Sequence, residues 1–298
     1  MGQDSNNFDF DGFVSHFMRE KDDSFSYTQH QLKIYPLALA AKYIKAPVPL
    51  FRAKYSFILF FKSGGGIQQV DNEIFNLKAN DVLFIREGHL NSIKSISPDT
   101  SGFFLYVDNL LLPQIFDSGT RLTRFTFNPK HSTTISTMEW LLNCCELIYD
   151  SQQKGEKLFK EISVSLAKAM VQKLEQSWPD ELFNSNRNYE ITMSFKELLH
   201  SYFLTKREVT FYANELAISE NHLTRCVKSI TEKTPKQHIN QMLVFHSKVL
   251  LQDLSKDISK IAFELNFSDP SYFGRLFKDI TDLTPTAYRN RFLQDLSE

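Results

Sequence analysis

The sequence predicts a multi-domain α+β protein. An N-terminal antiparallel β-barrel with two trailing helices is followed by an all-α domain of two helix-turn-helix modules joined by a long helix. Three observations predict it: short strand-like segments fill 31–108, helical periodicity takes over after Pro129, and the last third of the chain repeats itself in register. With 298 residues, 42% apolar and 13% aromatic, the chain has material for two cored domains and is too apolar to be largely disordered. The expected division is 1–180, with the barrel at about 25–128 and the helices at about 131–178, then a linker at 181–189 and a second domain at 190–298.

Strand-like stretches lie at 31–39, 55–62, 66–70, 73–77, 82–86, 92–96 and 102–107, separated by turn signals such as Ser63-Gly64-Gly65, Asp71-Asn72, Asn80-Asp81, Glu87-Gly88 and Pro98-Asp99. No helical crossover of a dozen residues fits between them, so an antiparallel barrel or jelly roll is expected, with an interior pocket. The run Ser63 to Gly66 lacks the Gly-Lys-Ser/Thr end of a phosphate loop and reads as a hairpin connection.

Beyond Pro129, Ile135, Met138, Leu141, Leu142, Cys145 and Ile148 form one apolar stripe at helical spacing, and Leu158, Ile162, Leu166, Ala169, Met170 and Leu174 form another. The short connection at 152–156 makes the two helices antiparallel neighbours. They are expected to pack on the outside of the barrel, and part of the 156–178 helix is a second candidate, a dimer contact. Trp178-Pro179 should end it, before a polar, asparagine-rich linker.

The C-terminal part reads as helices at 193–204, 211–216, 221–231, 235–251, 258–265, 270–280 and 285–293. Arg225, Lys228, Ile230, Thr231, Thr234 and Pro235 recur 50 positions on as Arg275, Lys278, Ile280, Thr281, Thr284 and Pro285. Upstream the offset is 49, with Val209, Ala213, Leu216 and Ile218 answered by Ile258, Ala262, Leu265 and Phe267, so one unit holds an extra residue where a turn belongs. Thr234-Pro235, Thr284-Pro285 and Asp269-Pro270 each set a capping side chain before a proline suited to the first helical position.

Leu223 with Val227, and Phe273 with Phe277, mark the buried side of each second helix. The other side then carries Asn221, Thr224, Arg225 and Lys228 in one module and Ser271, Gly274, Arg275 and Lys278 in the other. An arginine and a lysine on a lone helix face are ordinarily solvated surface; their recurrence with matched caps and a matched small residue, Ala213 and Ala262, argues for two DNA-reading helices. Arg225 and Arg275 are the candidates for base edges, and Lys228 and Lys278 for phosphates. The rod at 235–251 spans roughly 25 Å, which can hold the two reading helices about one DNA turn apart, roughly 34 Å.

Composition adds boundaries. The net charge of -1 gives no global sign of nucleic-acid binding, and 206–291 carries 13 lysines and arginines against 10 aspartates and glutamates, a mild local excess. Cys144, Cys145 and Cys226 form neither a spaced metal set nor an evident disulfide, which fits a reducing compartment. With no signal-peptide pattern and no apolar run of membrane-spanning length, a cytoplasmic protein without membrane contact is expected.

The second repeat, Ile261-Ala262, Asn266-Phe267, Ser271-Tyr272-Phe273-Gly274-Arg275-Leu276-Phe277-Lys278, Thr284-Pro285 and Tyr288-Arg289, resembles the signature of the AraC/XylS transcription regulators. The first repeat matches through Ser219, His222-Leu223, Arg225, Lys228 and Thr234-Pro235, with Val227 where an aromatic is common. The resemblance implies a bipartite DNA-binding domain, to which His222 and Tyr272 are added as candidate contacts. It also implies a cupin-like N-terminal barrel for sensing or dimerisation, with double-stranded DNA, a small-molecule effector, a second copy of the chain and RNA polymerase as expected partners. Where the family often has glycine, this chain has Glu232, Asp282 and Asn266; glutamate tolerates the left-handed conformation less well than Asn or Asp, so the first module is expected to be the less stable.

Metal-binding cupins show a paired-histidine, glutamate and later histidine set, which is missing here, and His89 stands alone. No nucleophile, base and orienting acid fall together, so no catalytic residue, metal or cofactor is expected. Tyr55, Phe57, Arg86, His89, Phe104 and Tyr106 are the candidate pocket residues, with strand alternation sending about half of them outward. A cupin-type enzyme with an accessory helical domain and a protein-interaction scaffold stand as alternatives. Stoichiometric metal would favour the first, and the absence of salt-sensitive DNA affinity the second.

Overall fold

The computed structural model describes residues 7–19, 31–176 and 187–297. The chain divides into two compact units, Met1–Phe183 and Asn184–Glu298. The expected helix end at Trp178-Pro179 and most of the expected linker lie outside the described residues; positions 187–189 belong to the first helix of the second unit.

Among its described residues the first unit has ten strands: β1 (Asn7–Phe8), β2 (Leu32–Pro36), β3 (Val48–Ala53), β4 (Ser56–Ser63), β5 (Gly65–Val70), β6 (Glu73–Lys78), β7 (Asp81–Ile85), β8 (Leu90–Ile96), β9 (Ser101–Val107) and β10 (Lys130–Ser132). They form two five-stranded sheets, ordered β1-β3-β8-β5-β6 and β10-β7-β4-β9-β2. No ladder joins the two sheets among the described residues, so the arrangement is the jelly-roll form of the expectation rather than a closed barrel. All pairings are antiparallel except β1 with β3. The Ser63 to Gly66 run is not a hairpin, because β4 and β5 belong to opposite sheets. Glycine is required at this crossing: a Cβ on Gly65 would collide with the Leu77 carbonyl and one on Gly66 with that of Ser95.

β4 reads as an unbroken apolar run because both of its faces are covered. Phe57, Leu59 and Phe61 point between the sheets, where they meet Phe51, Leu83 and Ile85. Ile58 and Phe60 point the other way, with Phe84 and Leu105, onto a helical layer. That layer comprises α3 (Leu112–Phe116), α4 (Gly119–Phe127), α5 (Ile135–Lys154) and α6 (Phe159–Glu175). The two stripe helices thus pack outside the sheets, as one of the two readings held, through Met138, Leu141, Cys145, Ile148, Met170 and Leu174. Ile135, Leu158 and Ile162 depart from the expected stripe and are exposed, Ile135 at the start of α5, Leu158 at the cap of α6 and Ile162 in its first turn. Gln152 of α5 accepts from the Ile34 amide at 2.9 Å and donates to its carbonyl at 3.0 Å, covering the free edge of β2.

The strand expected at 31–39 ends at Pro36, and the chain turns into α2 (Leu37–Tyr43). α1 (Phe10–Phe17) precedes both and places Phe10, Phe13 and Val14 in the core between the sheets.

Among the described residues the regular structure of the second unit is all helical: α7 (Arg187–Tyr202), α8 (Val209–Glu215), α9 (Glu220–Thr231), α10 (Pro235–Leu250), α11 (Ile258–Glu264), α12 (Pro270–Thr281) and α13 (Pro285–Ser297). α8 with α9 and α11 with α12 are the two helix-turn-helix modules, and α10 is the rod between them. One continuous core contains residues of both, from Tyr212, Ala213, Leu223 and Val227 to Ile261, Ala262, Phe273 and Phe277. The expected caps form: Thr234 Oγ1 accepts from the Gln237 amide at 3.2 Å, Thr284 Oγ1 from the Ala287 amide at 3.1 Å, and Asp269 from the Ser271 amide at 2.8 Å.

Candidate functional site

In each module the turn, the cap and the reading helix are set by local chemistry. Ala217 and Asn266 occupy the turns with φ of 52° and 58°, and Glu232 and Asp282 end the reading helices, both with φ of 61°. α9 begins at Ser219, whose hydroxyl accepts from the His222 amide at 3.2 Å; α12 begins at Asp269, one residue later in the repeat, so the extra residue does lie in the turn of the second module.

Leu223 and Val227 on α9, and Phe273 and Phe277 on α12, are fully buried. Burial of that stripe turns the rest of each helix outward. Asn221, Arg225 and Lys228 are exposed on α9, with His222 and Thr224 half-buried beside them. Ser271, Tyr272, Arg275 and Lys278 are exposed on α12, and Gly274 is half-buried. Arg225 and Lys228 lie three residues apart, as do Arg275 and Lys278, so each pair shares one face. Arg275 Nη2 approaches Asp269 Oδ2 at 4.0 Å with its own side chain 72% exposed, a loose contact that leaves the guanidinium at the surface. Hydrogen bonds from Ser271 hold the Asp269 carboxyl below its ordinary range, so it stays an anion at the start of α12.

Two side chains fasten the modules to each other. Arg207, just before α8, donates to the Leu265 carbonyl and lies over the Phe267 ring at 4.1 Å. Asn266, in the turn of the second module, donates from Nδ2 to the Leu204 carbonyl at 2.9 Å. Neither link shows in the sequence pattern, because their partners are backbone carbonyls some 60 positions away.

The first unit holds a partly open cavity of about 70 Å3 between its sheets. Of the candidate pocket residues, Tyr55, Phe57 and Phe104 stand on its wall. Tyr106 is not on that wall; its ring meets Tyr55 at a tilt and Phe10 edge-on. His89 is buried elsewhere, its Nδ1 2.6 Å from Asp71 Oδ2, where it ties the β5–β6 turn to the start of β8. Arg86 lies just beyond β7 and off the cavity wall. Burial pushes the Tyr55 hydroxyl well above the ordinary phenol range and the Tyr106 hydroxyl above it, so both remain neutral. The cavity residues that strand patterns missed are Phe10 and Phe13 of α1, Tyr35, Phe51, and the amides Gln68 and Asn91. Parity along β4 from Phe57 through Leu59 to Phe61 is the one sequence signal that could have extended the set. Among the described residues no cluster of His, Cys, Asp and Glu is arranged to hold a metal ion, and no helix is long and apolar enough to cross a membrane.

Comparison with known proteins agrees with this division. Residues 212–291 match the family model of a helix-turn-helix domain, and residues 52–166 that of the AraC-like ligand binding domain. The chain is 25% identical over 273 residues to the HTH-type transcriptional activator RhaR of Mannheimia succiniciproducens, covering 87% of this chain and 93% of that protein. It is 20% identical over 270 residues to the lactose operon transcription activator of Staphylococcus xylosus, covering 88% and 95%. Among solved structures, ToxT from Vibrio cholerae aligns over 87% of this chain and 97% of its own at 13% identity and a TM-score of 0.42. Two helix-turn-helix modules on one core, a separate two-sheet unit with a cavity, and both family models in the same order place this chain in the AraC/XylS family of DNA-binding transcription regulators, with an N-terminal ligand-binding domain.

Proposed function

We propose that this regulator acts in the cytoplasm as a homodimer, reads two successive major grooves of its operator with α9 and α12, and changes its DNA affinity when a small molecule occupies the cavity of the first unit. The observation that carries the reading is the twofold recurrence of an exposed arginine and lysine on helices whose opposite faces are buried in one core. Arg225 and Arg275 are assigned to base edges, where a guanidinium gives two hydrogen bonds to guanine, and Lys228 and Lys278 to phosphates. Asn221, His222, Thr224, Ser271 and Tyr272 complete the DNA-facing set. Leu158, which caps α6, and Ile162 in its first turn are both exposed and support that helix as the dimer contact. RNA polymerase is the further partner expected at an activated promoter, and the linker between the sensing and DNA-binding parts is taken to end before α7, which claims 187–189 of the expected 181–189.

Selection of bound fragments from random DNA tests site and contacts together. Arg275→Ala should cost about 1–3 kcal/mol of discrimination at one half of the selected site, while Lys278→Ala should weaken all sequences alike and lower the salt dependence by about one counterion. Unchanged selection by both variants would remove the contact assignment.

A further inference from the structure

We propose that the effector of the N-terminal cavity is a compact, uncharged and mainly apolar molecule, such as a monocyclic aromatic carrying one hydrogen-bonding group, and not a sugar or an organic acid. The proposal rests on the reading of this unit as the effector-binding one.

The wall is built from rings. Phe57 and Phe61 of β4, Phe104 of β9, Phe51 of β3 and Phe10 and Phe13 of α1 line it, and no charged side chain is on it among the described residues. A carboxylate entering there would lose its hydration and find no cation, and the hydroxyls of Tyr35 and Tyr55 offer only dipoles. A sugar would bring five or so hydroxyls, each both donor and acceptor, to a wall whose polar side chains are Tyr35, Tyr55, Gln68, Asn91 and Ser95, leaving much of that hydrogen-bonding capacity unmet in an apolar space. Flat rings suit such a wall better, through offset and edge-to-face contacts with phenylalanines.

One polar handle is present. Gln68 and Asn91, buried on the neighbouring strands β5 and β8, bond to each other from Nε2 to Oδ1 at 2.7 Å. That bond uses one donor group and one acceptor of the pair. Gln68 Oε1 and Asn91 Nδ2 can still meet a single hydroxyl, amine or ring N–H. Size sets the remaining limit: a cavity of about 70 Å3 has room for roughly five to seven waters, the bulk of a molecule of about ten non-hydrogen atoms.

The test uses the full chain, titrated by calorimetry with indole, p-cresol, benzoate and glucose, and operator binding measured with each compound present. Indole or p-cresol should bind at least about tenfold more tightly than benzoate or glucose, because only they enter without stripping a charge or several hydroxyls of water. Ala40→Phe, which sets a ring into the cavity from α2, should abolish that binding; Ala40→Leu, a smaller intrusion, should weaken it and serves if the larger variant does not fold. Equal or tighter binding of benzoate or glucose, no binding of either uncharged ring, or binding untouched by both Ala40 variants overturns the ligand class. If the ring compounds bind but leave operator affinity unchanged, the class stands and the effector reading falls. If benzoate or glucose binds and shifts operator affinity, the effector reading stands and the class falls.

Discussion

The two helix-turn-helix modules have one backbone plan and two different chemistries. At the turn, the left-handed position is filled by Ala217 in the first and Asn266 in the second; at the end of the reading helix, by Glu232 and Asp282. Asn and Asp adopt that conformation with little strain, while Ala and Glu do so at greater cost. Beneath the reading helices, the first module buries Cys226 and Val227 where the second has half-buried Leu276 and buried Phe277. At the matched position on the following helix, the first has His238 and the second Tyr288, which packs edge-on against Phe277. A repeat can therefore keep its outward face and change its interior, with one shared core containing residues of both copies.

The largest expected effect tests that shared core. Phe277→Ala should lower the unfolding free energy by about 3–5 kcal/mol, and the matched Val227→Ala by roughly 2 kcal/mol. Denaturant titration followed by two probes, one in each module, should show a single coincident transition for both variants. Separate transitions would break the idea that one module supports the other.

Next comes pH. Burial, with Lys196 and Lys233 nearby, lowers the His238 pKa from 6.5 to about 4, and its Nε2 lies 2.8 Å from the Thr231 hydroxyl at the end of α9. The neutral ring is the folded form. The unfolded chain takes up a proton below about pH 6.5 and the folded one only near pH 4, so stability is full above 6.5 and lost as pH falls through that window. At pH 5 the loss is about 2 kcal/mol, and His238→Gln should flatten that part of the profile in thermal unfolding measured from pH 7 to 5. His131, in the first unit, is lowered by burial to about 4 as well, so the His238 contribution is read from probes in the second unit. An unaltered profile in the variant would remove His238 from the contrast.

The smallest effect sharpens the comparison at single residues. Ala217→Gly and Glu232→Gly should each stabilise the protein by about 0.5–1 kcal/mol, since relief of the left-handed strain exceeds the entropy that glycine adds to the unfolded chain. Asn266→Ala should destabilise by about 1 kcal/mol or more, because it also removes the bond to Leu204. Equal responses at Ala217 and Asn266 in chemical denaturation would show the two turns to be equivalent after all.

Much of the second unit was legible in the sequence. Its helices, caps and outward residues follow from contacts three or four positions apart, so the Thr-Pro pairs and the Leu223–Val227 and Phe273–Phe277 steps carry them on their own. The first unit was legible strand by strand but not as an assembly. β3 was hidden by Pro49, whose missing N–H argues against a strand, and α1 by the absence of an extended apolar stripe. The glycine run after β4 looked like a hairpin because local pattern cannot tell a return to the same sheet from a crossing to the other.

By itself the sequence determined the duplicated modules, their caps and which side chains turn outward, since helical period and capping are local and survive any placement of the helix. Only the tertiary structure decided which strands share a sheet, that Phe10 and Phe13 wall a cavity with Gln68 and Asn91, and that Arg207 and Asn266 fasten one module to the other. Those features join residues up to about 80 positions apart, and their positions are fixed by packing that no short window of sequence contains.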